Sequence, residues 1–568
     1  MKPGWPCLVI CAVVGLTLVA GGLLVPAHLR GLDAGVVHSA GKRGVSLPDA
    51  GLALAEEKRL GVAEMLLQAG QIEKIPGCEP LSIALVERLR QHPDTRFWGN
   101  DLTLENRFAG NFQPGDQNSA FASFIIRREN RDIALAQLGG SINPVIQELL
   151  RSRSLTQTVI FSPSGSAAGQ AFDAAVCMAG LLLEDGHLTS GLGANMMNAA
   201  TLARLGGGPR PWEVMLLDFT TLGERFNWDQ LTAFTENIPD GATLHQLAGA
   251  VREADGKLPV LFAAVQLSGR PAIVADYLAR FPTTGMRDLG ASLCQGAGGV
   301  GELAHSQKQL YDPDWERRMT AFAPVGQIFS LAAALDFRQP ELALAVKWLL
   351  YLLAGFFLAL AVHFALRPPE PRLAVRDWHW FRALLFSPGF LLVVLLLTEP
   401  FLGQESQQGT FSLRLLPPMA GGTVPGGIIG LSTTLMNPIL LLTLLVFFVL
   451  QALLYVACLL KLAEIRRQKV PPRVQMKLLE NEEHLFDAGL YLGFFGTVVS
   501  LIFASLSLVK FSLMAAYSST AFGIIFVVIF KIFHLRPARR KLLLAAETPE
   551  PTTAAPAPAA VPATLVTS

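Results

Sequence analysis

Small and hydroxyl side chains recur at steps of three and four along one apolar stretch: Gly489, Gly493, Gly496, Thr497, Ser500, Ala504 and Ser507. On a helix they share a face. A second apolar stretch carries a shorter row, Ala516, Ser519, Thr520, Gly523 and Val527. Such rows do one of two things. Small residues let helices approach closely while hydroxyls bond across the contact, which assigns helix packing to Gly489, Gly493, Gly496, Ala504, Ala516 and Gly523. Hydroxyls held inside a bundle also replace part of the hydration of a proton or ion, which makes Thr497, Ser500, Ser519 and Thr520 ion-path candidates. A hydroxyl hydrogen-bonds a proton carrier but does not titrate near neutral pH, so a titrating carboxylate has to come from elsewhere. No Asp or Glu lies deep in either stretch. Asp487 sits at the start of the first, Lys531 near the end of the second where it can snorkel, and Glu399 near the end of an earlier apolar segment.

The elements that must position these residues are two segments, Leu485 to Val509 and Phe511 to His534. Each is long enough to cross a bilayer as a helix, since about 20 residues at roughly 1.5 Å span its ~30 Å. Four further apolar segments precede them: about Cys7 to Pro26, Trp348 to Leu366, Ala383 to about Leu402, and Ile439 to Leu460. With 51% hydrophobic residues and a mean hydropathy of +0.40, the 568-residue chain reads as an integral membrane protein. Forty-six basic against 45 acidic residues leave a net charge of +1, which gives no electrostatic footprint for nucleic acid.

Basic residues orient the six spans. Arg367, Arg372, Arg376 and Arg382 follow the second; Lys461, Arg466, Arg467, Lys469, Arg473 and Lys477 follow the fourth; Lys531, Arg536, Arg539, Arg540 and Lys541 close the sixth. The alternate loop from Gly403 to Asn437 has Arg414 as its only basic residue. The three clusters belong in the cytoplasm, and parity puts His28 to Leu342 on the other side. The fold expected is therefore all-α: a polytopic helical membrane protein with six spans and a large, mainly helical extracytoplasmic domain. Its parts are residues 1–27, an N-terminal anchor or signal peptide; 28–342, the extracytoplasmic domain; 343–484, spans two to four; 485–534, the helix pair; and 535–568, a basic segment with a disordered Ala/Pro/Thr-rich tail. The loop from Gly403 to Asn437, rich in Gly and Pro, reads as a non-cytoplasmic cap.

Within 28–342 the apolar spacing is helical, as in Leu81 to Arg90 and Asn143 to Leu150, with short strands expected near Thr158 to Phe161 and Pro259 to Ala263. Paired helices stacking as a solenoid are a further option, although no fixed period is present. Gly296 to Gly301 satisfies GxGxxG but lacks a preceding β-branched strand, so it reads as a helix junction. Ser164 to Gly169 misses the nucleophile-elbow spacing and reads as a loop capping the helix that follows. No HExxH motif or catalytic triad emerges, and His187, His245 and His305 read as ordinary surface or core residues. The chain is therefore read as a non-enzyme with no cofactor and no metal. Six cysteines are scattered; Cys78, Cys177 and Cys294 allow one internal disulfide at most.

The run Leu492-Gly493-Phe494-Phe495-Gly496-Thr497-Val498-Val499, followed by Ser519-Thr520-Ala521-Phe522-Gly523, resembles the last two membrane helices of the MotA/TolQ/ExbB family. The resemblance covers about residues 485–534. It implies a homo-oligomer, a pentamer, whose helix pairs line an ion channel with Thr497 and Thr520 at the positions of the family's pore threonines. It also implies a single-span partner of the MotB/TolR/ExbD type supplying a membrane aspartate, a location in the bacterial inner membrane among its lipids, and proton-motive-force-driven work or protein transport across the envelope. The alternative is a non-conducting scaffold or receptor whose extracytoplasmic domain binds an envelope protein or ligand.

Overall fold

The computed structural model describes residues 5–366, 379–401, 438–468, 470–505 and 513–547. Outside them lie Arg367, Arg372, Arg376, Lys469, Ser507, the 403–437 loop and the 548–568 tail, together with the side chains of Arg382, Ser500, Ala504 and Ala516. The described chain is almost wholly helical and divides into two compact units, Leu24–Ala345 and a second formed by the N-terminal helix and the chain from Val346 onward.

The Leu24–Ala345 unit is built from helices whose starts and buried faces follow the sequence. Asn143 caps Pro144–Ser152 by accepting from the Val145 N–H, and Ile146 and Leu149 are buried one turn in. Glu79–Gln91 buries Leu81 and Leu85 while Ile83 and Val86 stay exposed. Asn227 and Gln230 form a capping box ahead of Trp228–Thr235. Phe97, Trp98, Phe108, Phe121 and Phe124 form a fully buried aromatic cluster with rings in tilted, edge-on and stacked contact. The helices do not stack as an open solenoid. Leu60–Ile72 packs against Leu258–Ser268, and Ala34–Gly41 against Gly296–Ser306, so early helices touch late ones, whereas solenoid repeats contact only their neighbours.

Both expected strands are absent, each for a physical reason. Thr158 to Phe161 is a loop whose β-branched residues find no partner strand; instead the Glu213 carboxylate accepts the N–H groups of Val159, Ile160 and Phe161 at 2.9–3.0 Å. Pro259 to Ala263 lies inside the Leu258–Ser268 helix, and the full burial of Val260 to Ala264 explains an apolar run with no helical period. The two strands among the described residues are Gly31–Asp33 and Gln309–Tyr311, paired in parallel with Gly31 opposite Gln309. They bring the two ends of the unit side by side.

The GxGxxG run is not itself the helix junction expected: it opens the helix Gly296–Ser306, which follows Gly285–Leu293 after Cys294 and Gln295. Gly296 turns the chain with φ +70°, and a Cβ on Gly298 would lie 2.3 Å from the Ala40 carbonyl oxygen, so these glycines serve close helix contact. Ser164 to Gly169 is a loop, with the Ser164 hydroxyl on Asp173 in the first turn of Gln170–Glu184. All six cysteines are free thiols. Asp314–Thr320 and Ala323–Arg338 together have the composition of a span, but they are bent by 115°, and the second packs on Ala34–Gly41 within this unit.

The other unit holds helices at all six apolar segments: Trp5–Leu23, Pro340–Leu366, His379–Thr398, Pro438–Arg467, Ala488–Ser505 and Leu513–Phe530. Among the described residues, four helices are long and apolar enough to cross a membrane, in the stretches Pro6–Leu23, Pro340–Ala365, Phe447–Arg467 and Tyr517–Glu547. The described apolar parts of the remaining two, Ala383–Leu395 and Ala488–Val499, are shorter. Small residues mediate the packing. A Cβ on Gly22 would meet the Tyr351 ring, one on Gly355 would meet Phe390, and the Ser387 hydroxyl donates to the Leu352 carbonyl. In the same unit, Pro472–Asn481 packs on Arg536–Glu547 around Leu462, Ile465, Leu479, Leu535 and Ala538.

Candidate functional site: a hydroxyl cluster between two glycine-rich helices

Ala488–Ser505 and Leu513–Phe530 lie against each other along their small-residue faces. At Gly493 the approach is backbone to backbone: a Cβ there would fall 2.8 Å from the Ser519 carbonyl oxygen. At Gly523 it would fall 2.5 Å from the Gly489 carbonyl oxygen, and at Gly496 2.6 Å from the Ser519 hydroxyl. Any larger residue holds the helices apart. The faces pointing away carry Phe494, Phe495 and Ile502 on one helix and Ile524, Ile525 and Val528 on the other, all exposed.

This contact brings three of the four ion-path candidates together. The hydroxyls of Thr497 (3.1 Å), Thr520 (3.2 Å) and Ser519 (3.3 Å) all lie within hydrogen-bond distance of the Gly493 carbonyl oxygen, and the two threonine hydroxyls bond each other, so one of them gives its single proton to the other in place of the carbonyl. Thr497 and Ser519 are buried, Thr520 half-buried. In a helix the carbonyl of residue 493 already serves its own ladder, so the three hydroxyls share its remaining acceptor capacity and their own lone pairs are the acceptors of the site. The fourth candidate, Ser500, has no described side chain.

Toward the Asp487 end of the pair the structure adds polar groups that the two rows do not include. Gln451 on Pro438–Arg467 is 1% exposed and donates from Nε2 to the Gly489 carbonyl at 3.0 Å. Tyr455, one turn further along the same helix, shares a 2.8 Å hydrogen bond with His534 Nε2. His534 sits in a π turn, Lys531–Leu535, that continues the Leu513–Phe530 helix; such turns displace side chains from α-helical register. Lys531 does not snorkel alone, because its ammonium lies 2.6 Å from Asp487. The sequence signal for Gln451 is one amide in the otherwise apolar run VFFVLQALLYV. Nothing in its spacing names the carbonyl it reaches.

The other residues with chemical potential are held structurally. His187 packs edge-on to Trp228, and burial lowers its pKa. Asp218 is buried beneath the exposed His245 at 2.9 Å; burial raises its pKa against the opposing pull of that histidine and Arg252. His305 stands in the last turn of its helix. Among the described residues no group of three or more His, Cys, Asp or Glu is arranged to hold a metal ion.

Fold and site define an all-helical protein with several helices able to cross a membrane and a hydroxyl cluster between two of them. Comparison with known proteins finds no matching family model, no matching curated protein and no matching solved structure.

Proposed function

We propose that the chain is a subunit of an ion-driven membrane complex similar to MotA/TolQ/ExbB, coupling proton flow to work or transport across a bacterial inner membrane. In this reading all six apolar helices cross the bilayer, the Leu24–Ala345 unit lies outside the cytoplasm as a load-coupling or recognition module, and copies of the chain surround a single-span partner that supplies a membrane aspartate. The observation that supports it is the convergence of Thr497, Ser519 and Thr520 on the Gly493 carbonyl, since it concentrates the hydroxyls of both motif helices at one depth. Lipid or neighbouring copies would cover the exposed faces of Phe494, Phe495, Ile524 and Ile525.

A second reading, a non-conducting scaffold or receptor, has its own support: each of these hydroxyls donates within the helix pair, as cross-helix packing requires. Proton flux separates the two. The full chain is purified with and without its small single-span neighbour, its mass and symmetry are measured, and flux is followed in vesicles. The channel reading expects an oligomer whose Thr497→Val/Thr520→Val variant assembles normally and loses flux at least tenfold. A stable monomer without flux leaves the scaffold reading, and a variant with full flux removes the two threonine hydroxyls from the ion path.

A further inference from the structure

Gln451 presents an anomaly that its bond to Gly489 does not resolve. Its Oε1 is buried without a hydrogen-bond partner. Buried polar atoms in native interiors are satisfied by protein or by ordered water. Beside it, between Pro438–Arg467, Ala488–Ser505 and Leu513–Phe530, lies a small cavity with ≈ 10 Å³ open to water centres, walled by Gln451, Tyr455, Cys458, Phe486, Gly489 and Phe530 among others. One water needs about 10–15 Å³ by this measure and two to four polar partners. The wall offers the Gln451 amide oxygen and the Tyr455 phenol, the two partners a single water needs at least. A wholly apolar cavity of this size would stay dry; this one has an orphaned acceptor aimed into it.

We infer that Gln451 binds a single water molecule in the core of this three-helix unit, as a fixed part of the fold. The water stands one helical turn, about 6 Å, from the hydroxyls gathered at Gly493. On the other side follow Tyr455 with His534, then Asp487 with Lys531. The chain thereby carries a row of polar groups from the Gly493 hydroxyls to the Asp487 end of the helix pair. Its use as a proton route rests on the channel reading above; the water itself does not.

Hydroxyl-radical footprinting of the full purified chain tests this, because a bound water generates the radical in place and oxidises side chains that bulk solvent does not reach. Phe486 and Phe530, each 1% exposed, are the reporters, and the equally buried Phe172 and Phe219 are the controls. The expected result is at least fivefold faster oxidation of the reporters than of the controls, removed by Gln451→Leu. Gly489→Ala, whose Cβ would lie 3.0 Å from Gln451 Oε1, is a second variant expected to expel the water. Reporters that oxidise no faster than the controls in the unaltered protein overturn the inference without any variant. Flux through Thr497→Val/Thr520→Val is read separately, so a dry cavity in a conducting protein overturns the water alone, and a hydrated cavity in a non-conducting one overturns the channel alone.

Discussion

Asp185 carries the clearest electrostatic tension at the scale of single residues. It caps the end of Gln170–Glu184 with one carboxylate oxygen buried and unbonded. Burial, then the like charge of Asp101, raises its pKa from 3.8 to about 6. A raised carboxyl pKa means the folded state holds the proton more tightly than the unfolded one. Its contribution to stability is therefore complete below about pH 4 and is lost as pH climbs through about 6. Asp185→Asn should raise the melting temperature at pH 7.5 and leave it unchanged at pH 4. Partial solvent access limits the gain to about 1 kcal/mol. Calorimetric or fluorescence melts at the two pH values check this; equal shifts at both would remove the charge from the account. Legibility at this scale was uneven. Thr497 and Thr520 declared themselves because two motifs placed them, whereas Gln451 and the Tyr455–His534 pair did not, since their partners come from helices far along the chain and periodicity describes only one helix at a time.

Glycines decide how closely elements approach, and neighbouring ones in a single motif should behave oppositely. Gly298 and Gly301 both lie in Gly296–Ser306, yet a Cβ meets the Ala40 carbonyl oxygen at 2.3 Å from the first and no atom within 4 Å from the second. Gly301→Ala should stabilise by about 0.5–1 kcal/mol, because alanine loses less backbone entropy in a helix. Gly298→Ala should destabilise by about 1–3 kcal/mol through forced backbone shifts. Denaturant melts of the two variants measure both signs, and similar values would mean the helix contact at Ala40 is not held. The same reasoning governs the membrane pair. Gly523→Ala pushes a methyl to 2.5 Å from the Gly489 carbonyl oxygen, so it should separate the helices and lower thermal stability in detergent, while Gly389→Ala, with open space around it, should not. Helices were largely legible because capping residues and buried spacing agree locally, as at Asn143 and Ile146. The strands at Gly31 and Gln309 were not, being three residues each and defined only by a partner at the far end of the unit.

On the scale of the whole molecule, the hydropathy pattern located all six apolar helices because long uninterrupted apolar runs are displayed by local sequence alone. The closure of the Leu24–Ala345 unit depends instead on contacts between distant segments, which no local pattern records. That closure makes a definite prediction. The buried core of this unit runs from Leu32 to Ala304 without a residue from the membrane helices, so residues 24–345 contain a complete core. Expressed alone, they should fold with helical circular dichroism and a single cooperative melt. Ending the fragment at residue 305 removes Gln309–Tyr311, and with it the strand opposite Gly31–Asp33 and the Leu310 N–H that donates to buried Asp288 at 3.4 Å, together with the Ala323–Arg338 helix that packs on Ala34–Gly41. Asp288 would keep its bond from the Tyr277 hydroxyl but lose a backbone donor and its cover, leaving a buried carboxylate less satisfied. The shorter fragment should melt several degrees lower and over a broader range. Identical melts for the two fragments would show that the strand pair and that helix add nothing to the unit, and a non-cooperative melt for 24–345 would show that its core needs the membrane helices to form.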